Sequence, residues 1–256
     1  MTSLRSQFVS AAVLIATAAL AVPALAQDGK ITASINFGAQ TGSGDLSTTL
    51  TPEIYLETAT IHIAQTYESG ALFDIGGSYM LFERFGGKIG AGLAYSHTSG
   101  DGNAVIAAQI PDPQVTDMFR GAASSANGLN HKEDAVHLSL VYRYPVTPKL
   151  DVTVSLGPTF FSVKQDLVSN VNVAETATRP PFGTPNLTPV VAKGSDSPVG
   201  VNIGADATYM VTKTFGAGLL LRFAHGTASI TPAANASAVD IRAGGFQVAV
   251  GLRARF

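Results

Sequence analysis

The chain of 256 residues contains no cysteine, and only 13% of its residues are charged. Without cysteine no disulfide can staple the fold, so stability has to come from the architecture itself. Positive charge is scarce as well. Taking Arg5 away with the leader described below leaves 15 of 16 basic residues against 18 acidic ones, a formal charge of −3. Phosphate neutralisation needs a basic patch or stripe, so no nucleic-acid partner is expected. Long apolar runs are missing too: beyond residue 26 nothing approaches the ~20 residues of a transmembrane helix. There is no glycine-rich phosphate loop. The five histidines, His62, His97, His131, His137 and His225, show no pair at metal-ligand spacing on one element, so neither metal nor cofactor is expected. A chain with about half the usual share of charge and no spanning helix must place its apolar surface in some other way.

What is present begins with a leader. Arg5 and the amino terminus form a short basic head, and "FVSAAVLIATAALA" (residues 8–21) is an apolar run too short to span a bilayer. Pro23 then breaks the run before Ala24-Leu25-Ala26, small residues where a signal peptidase reads. Residues 1–26 therefore predict a cleavable secretory signal, and residues 27–256 the exported protein.

After the leader the dominant pattern has a period of two. Ile31, Ala33, Ile35, Phe37 and Ala39 alternate with Thr32, Ser34, Asn36, Gly38 and Gln40, the signature of a strand with one dry and one wet face. The pattern returns at 71–81, 89–95, 136–144, 150–160, 199–211, 215–223 and 246–256, giving eight segments close to the 9–11 residues of a tilted membrane-crossing strand. Their connections alternate between long, polar, irregular stretches (41–68, 99–133, 164–198, 230–239) and tight ones (83–87, 145–149, 212–214). Short turns on one side and long loops on the other are the asymmetry of an outer-membrane barrel. The β-rich stretch "IYLETATIHIAQTY" (54–67) reads as an extension of the first loop, with a ten-strand barrel as the alternative.

These residues resemble the small eight-stranded outer-membrane barrels of Gram-negative bacteria, of the OmpA and OmpW type. The leader, the hairpin "GGSYMLFERFGGKIGAGLAYSH" (76–97) and the closing "VAVGLRARF" (248–256) carry the resemblance. It implies an all-β, eight-stranded, antiparallel up-and-down transmembrane barrel, located in the bacterial outer membrane and in contact with its lipids and lipopolysaccharide. It also implies that Phe246, Val248, Val250, Leu252 and Phe256, apolar at every second position and ending in Phe, are the signal read by the barrel-assembly machinery. No peptidoglycan-binding segment follows the barrel in this sequence, so a cell-wall anchoring role is not expected.

If the apolar face meets lipid, the other face fills the interior. Asp74, Asp151 and Asp206 lie on that face, as do Arg143, Arg222, Arg253 and Arg255. Buried charges of both signs call for pairing, so an internal salt-bridge network among these seven is expected, in a lumen too narrow for a continuous channel. Tyr79, Phe82, Phe85, Tyr142, Tyr144, Tyr209 and Phe215 gather beside the tight turns, where amphipathic rings suit a membrane interface.

Function is read from what decorates this scaffold. A structural barrel with recognition loops is the favoured class and is not an enzyme. A narrow porin or carrier for small or hydrophobic molecules is the first alternative. The second is a lipid A-modifying enzyme. Some barrel deacylases place His and Ser two residues apart near the outer leaflet, and His97-Thr98-Ser99, with Asp101 close by, has that spacing, as does His225-Gly226-Thr227 with a threonine.

Overall fold

The computed structural model describes residues 29–232 and 238–256, so the leader lies outside the described residues. Thirteen strands follow one another, with no helix among these residues: β1 (Ile31–Thr41), β2 (Ser43–Leu50), β3 (Glu53–Ile54), β4 (Glu57–Thr58), β5 (Thr60–Glu68), β6 (Ala71–Arg84), β7 (Gly87–Pro111), β8 (Phe119–Pro145), β9 (Leu150–Ala174), β10 (Asn186–Asp196), β11 (Val199–Met210), β12 (Phe215–Ile230) and β13 (Val239–Arg255). Eight of them, β1, β6, β7, β8, β9, β11, β12 and β13, hydrogen-bond in that order into a closed antiparallel ring. The seam runs along β1, where Phe37 faces Val250 of β13 on one side and Phe73 of β6 on the other. Closure leaves no unpaired edge in the ring, a condition for strands that cross a hydrocarbon layer.

Side chains alternate across the wall. Ile35, Phe37, Leu140, Leu156, Ile203, Val250 and Leu252 point outward and are exposed, whereas Asn36, Gln40, Asp74, Asn202 and Gln247 point inward and are buried. A protein in water would arrange them the other way round; a lipid-facing wall requires this one. The tight turns and Gly29 share one end, with the exposed rings of Tyr79, Phe82, Phe85, Tyr144, Tyr209 and Phe215 around it.

The stretches expected to be irregular loops are not irregular. β7, β8 and β9 run on for 25, 27 and 25 residues, well beyond the ~10 needed to cross the bilayer. The expectation of irregular structure is therefore corrected at 41–68, at 99–133 except its tip 112–118, and at 164–198 except its tip 175–185; of the loop expected at 230–239, residues 233–237 lie outside the described residues. On these extensions the polarity of the two faces reverses. Along β7 the even positions point inward throughout, yet the apolar residues change from the odd ones (Ile89, Leu93) to the even ones (Ala104, Ile106, Ala108, Ile110). β12 does the same between Phe223 and His225, with Ala224, Ala228 and Ile230 buried inside. Above that line the surroundings are water, and the interior must be the apolar side.

The result is a β-crown at the end of the ring opposite the tight turns. β5 pairs with upper β7 and with β2, and β10 with upper β9. The stretch 54–67 thus extends the first loop outside the ring. Ile61, Ile63, Ile106, Ile110, Leu129, Val168 and Leu187 share a buried apolar core in the crown. A second cluster around Leu46, Phe161, Leu167, Ile230 and Ile241 lies at its base. At the top, Arg120 of β8 forks onto Glu175, donating at 2.6 and 2.8 Å, and also reaches the Gly183 carbonyl at 2.9 Å. Tyr55, beside the β3–β4 hairpin, donates to the same carboxylate at 2.9 Å.

Candidate functional site: the barrel interior and its outer rim

The inward face carries one continuous chain of polar contacts. Asp206 pairs with Arg253, which donates to Asn36 Oδ1 at 2.6 Å. Asn36 donates to Asp74 at 2.7 Å, and Asp74 pairs with Arg222. Arg222 Nε donates to Gln247 at 2.6 Å, and Gln247 donates to Gln40 at 2.6 Å. Gln40 then donates to Glu133 at 2.8 Å, and Thr98 donates to Gln40 at 3.2 Å. Glu133 lies 2.8 Å from His131 Nε2, whose Nδ1 lies 2.6 Å from Gln165. Every strand of the ring contributes a member, Asp74 coming from β6 and Thr98 from β7. Nearer the turns Arg255 pairs with Asp151.

The interior stays this narrow because glycines make room for the guanidinium groups. A Cβ on Gly218 would lie 2.6 Å from the Arg253 guanidinium carbon, so the arginine lies flat against that bare stretch of wall. Of the seven charged residues expected inside, Asp74, Asp151, Asp206, Arg222, Arg253 and Arg255 form three pairs. Arg143 is brought to the same region but meets hydroxyls, Thr32 at 2.6 Å and Ser78 at 3.3 Å, and the Gly29 carbonyl at 3.3 Å.

Sequence reasoning missed His131, Glu133 and Gln165, all buried. They fall in stretches that read as loops in the sequence, yet they keep the inward parity of His137 on β8 and of Thr159 on β9, and that parity is the signal available. His137 itself is buried between Ser96 (Nε2 to Oγ, 3.0 Å) and Thr159 (Nδ1 to Oγ1, 2.8 Å). Asn202 Nδ2 already donates to the Thr159 hydroxyl at 2.9 Å, leaving the hydroxyl proton free for Nδ1. The ring then carries its own proton on Nε2, facing Ser96, which is the wrong tautomer for a base acting on that serine.

A different group lies on the outside, at the line where the outer wall turns from apolar to polar. His97 Nδ1 is 2.8 Å from Asp134 Oδ1; Tyr95 donates to the same oxygen at 2.6 Å and Lys164 reaches Oδ2 at 3.4 Å. The carboxylate that orients His97 is thus Asp134, across the ladder on β8, in place of the Asp101 expected from sequence. Ser99 shares the outward face two residues from His97, with no hydrogen bond between them. At the His225-Gly226-Thr227 candidate, His225 stacks on Phe223, with ring centres 6.4 Å apart.

Among the described residues no group of three or more His, Asp or Glu side chains is placed to hold a metal ion. No curated protein matches the sequence. Solved structures with a similar fold include Neisserial surface protein A (11% identity, 90% of this chain and 98% of that one, TM-score 0.43). OprG from Pseudomonas aeruginosa is another (11% identity, 88% and 95%, TM-score 0.45), as is the outer membrane protease OmpT from Escherichia coli (10% identity, 88% and 96%, TM-score 0.41). The family model for the outer membrane protein β-barrel domain matches residues 12–253. With a lipid-facing wall, a polar interior and a family match over nearly its whole length, the chain belongs to the outer membrane protein β-barrel domain family, whose place is the bacterial outer membrane.

Proposed function

We propose that the protein is a non-conducting outer-membrane barrel whose working surface is the extracellular crown. The observation that carries this reading is the continuous polar chain from Asp206 to Gln165, to which all eight ring strands contribute. A water path would have to break contacts between largely buried polar groups, among them the charged pairs Asp206–Arg253 and Asp74–Arg222, and truncating one partner of such a pair strands the other. Above the chain the apolar crown core closes the same axis. In this reading residues 1–26 direct export, and Phe246, Val248, Val250, Leu252 and Phe256 are read during assembly. Lipopolysaccharide surrounds the rim, and the crown meets an external partner.

Planar-bilayer recording of the refolded chain tests the proposal. Silence, or openings far below the nanosiemens scale, is the expected result; stable nanosiemens openings would move the protein to the porin or carrier class.

One observation favours a second reading, an outer-leaflet lipid A hydrolase. His97 has the orienting carboxylate that a Ser-His-Asp constellation requires, on the lipid-facing side, with Ser99 on the same strand face. Mass analysis of lipid A from cells making the wild type or Ser99→Ala decides it: identical profiles remove the enzyme, and an acyl chain lost only with the wild type establishes it.

A further inference from the structure

At the periplasmic mouth the interior widens into a vestibule of about 620 Å3 walled by the Glu83–Lys88 turn, with Arg143, Asp151 and Arg255 at its floor. Its charges do not balance. Lys88 lies 3.4 Å from Glu83, and Arg255 pairs with Asp151. That leaves Arg84, packed over the Phe85 ring at 5.2 Å, and Arg143. Arg143 is 5% exposed and has only hydroxyls and a carbonyl within reach, with no carboxylate partner among the described residues. Beside it the Nε of Arg255 is buried without any hydrogen-bond partner. Asp151 and Asp206 act on Arg143 only from beyond hydrogen-bond distance. Four cationic side chains, Arg84, Lys88, Arg143 and Arg255, thus meet two carboxylates, Glu83 and Asp151, around one aqueous mouth, an excess of positive charge that favours an anion.

We propose that this vestibule binds a small soluble oxyanion of the phosphate class from the periplasm, with Arg143 and Arg255 as its donors. Guanidinium N–H groups match the spacing of phosphate oxygens, and Arg84 and Lys88 at the rim raise the local anion concentration. Above Arg143 a cavity of about 110 Å3 continues as far as the Asp74–Arg222 pair, which bars it. The site is therefore a blind pocket, and it would exist whether or not the lumen conducts. A lipid phosphate is the other source of the same chemistry, but lipid headgroups lie outside the collar formed by Phe82, Phe85, Tyr142 and Tyr144, whereas these donors lie inside it.

The test uses the full barrel in zwitterionic detergent, with binding of inorganic phosphate followed by 31P line broadening. Saturable binding is expected, about tenfold or more weaker in Arg143→Gln, which removes a charge-assisted contact, and about two- to fivefold weaker in Arg84→Gln at the exposed rim. Removing a buried charge whose hydrogen bonds all go to neutral groups should also raise the urea midpoint of phosphate-free Arg143→Gln above that of the wild type, a shift that a purely structural arginine would give in the opposite direction. Binding should persist in nanodiscs containing phosphatidylglycerol; its loss there would assign the site to lipid headgroups and overturn the soluble ligand. Equal binding by wild type and Arg143→Gln would overturn the site itself. So would the absence of saturable binding by the wild type.

Discussion

At the scale of single residues, the interior stores its energetics in pairs that cannot be taken apart singly. Asp74 and Arg222 are both buried. Arg222→Met leaves the carboxylate in a dry wall with only Asn36 to serve it, so barrel stability should fall by about 3–5 kcal/mol, read from urea unfolding in detergent. The double variant Asp74→Leu with Arg222→Met removes both charges and should recover most of that loss, because two apolar groups need no partners. A non-additive cycle is the expected result; two independent, additive losses would mean that the ion pair contributes nothing as a pair. Gly218 supplies the steric counterpart. Gly218→Val places carbon where the Arg253 guanidinium lies, and overpacking of this kind costs about 1–3 kcal/mol. The penalty should shrink in an Arg253→Ala background.

At the scale of elements, the eight wall strands were legible because lipid on one side and packed polar groups on the other give a strict period of two. The crown strands obey the same period and yet read as loops in the sequence. Two physical facts hid them: the apolar face changes sides when the surroundings change from lipid to water, and β8 slips phase. Between Gly102 and Asn103 the β7–β8 register skips Gly128, whose φ of +71° places an extra residue in β8. Below that bulge His131, Glu133 and His137 point inward from odd positions; above it Ala122 and Ala126 do so from even ones. A single alternation count over the sequence cannot follow such a shift. The crown's tip depends on Arg120 and Glu175. The arginine holds the Glu175 carboxyl below its usual range, outweighing the effect of burial. A lowered folded value means that the stabilisation is complete above the unfolded carboxylate pKa of about 4.3 and is lost as pH falls through the folded value. Amide exchange at the tips of β8 and β9 should accelerate on going from about pH 6 to about pH 3 in the wild type, after correction for intrinsic rates. In Glu175→Gln it should already be fast at pH 6 and change little, because the titrating partner is gone.

At the scale of the whole molecule, one barrel axis passes through three solvents: a charged and aqueous mouth, a hydrocarbon layer with polar side chains inside the wall, and an outer aqueous zone with an apolar core. The six paired charges were legible within this order because burial forces opposite charges together. Glu133 and His131 were not, because their place at the join between zones is set by the height of the membrane, which no local pattern records. The ordering makes one strand its own control. On β7, Leu93 points outward within the apolar band, Val105 points outward in the crown at 62% exposure, and Ile106 points inward in the crown at 0%. Substituting arginine at each should therefore give three different outcomes from a single side-chain change. Leu93→Arg meets hydrocarbon and should cost about 2–4 kcal/mol in lipid vesicles. Val105→Arg meets water and should fall within about 0.5 kcal/mol of the wild type. Ile106→Arg buries an unpaired charge and should melt the crown, raising its amide exchange and protease sensitivity, while the membrane-embedded ring keeps its heat-modifiable mobility on gels. An arginine tolerated at 93 and not at 105 would place the hydrocarbon layer at the crown and overturn this order of zones along the axis.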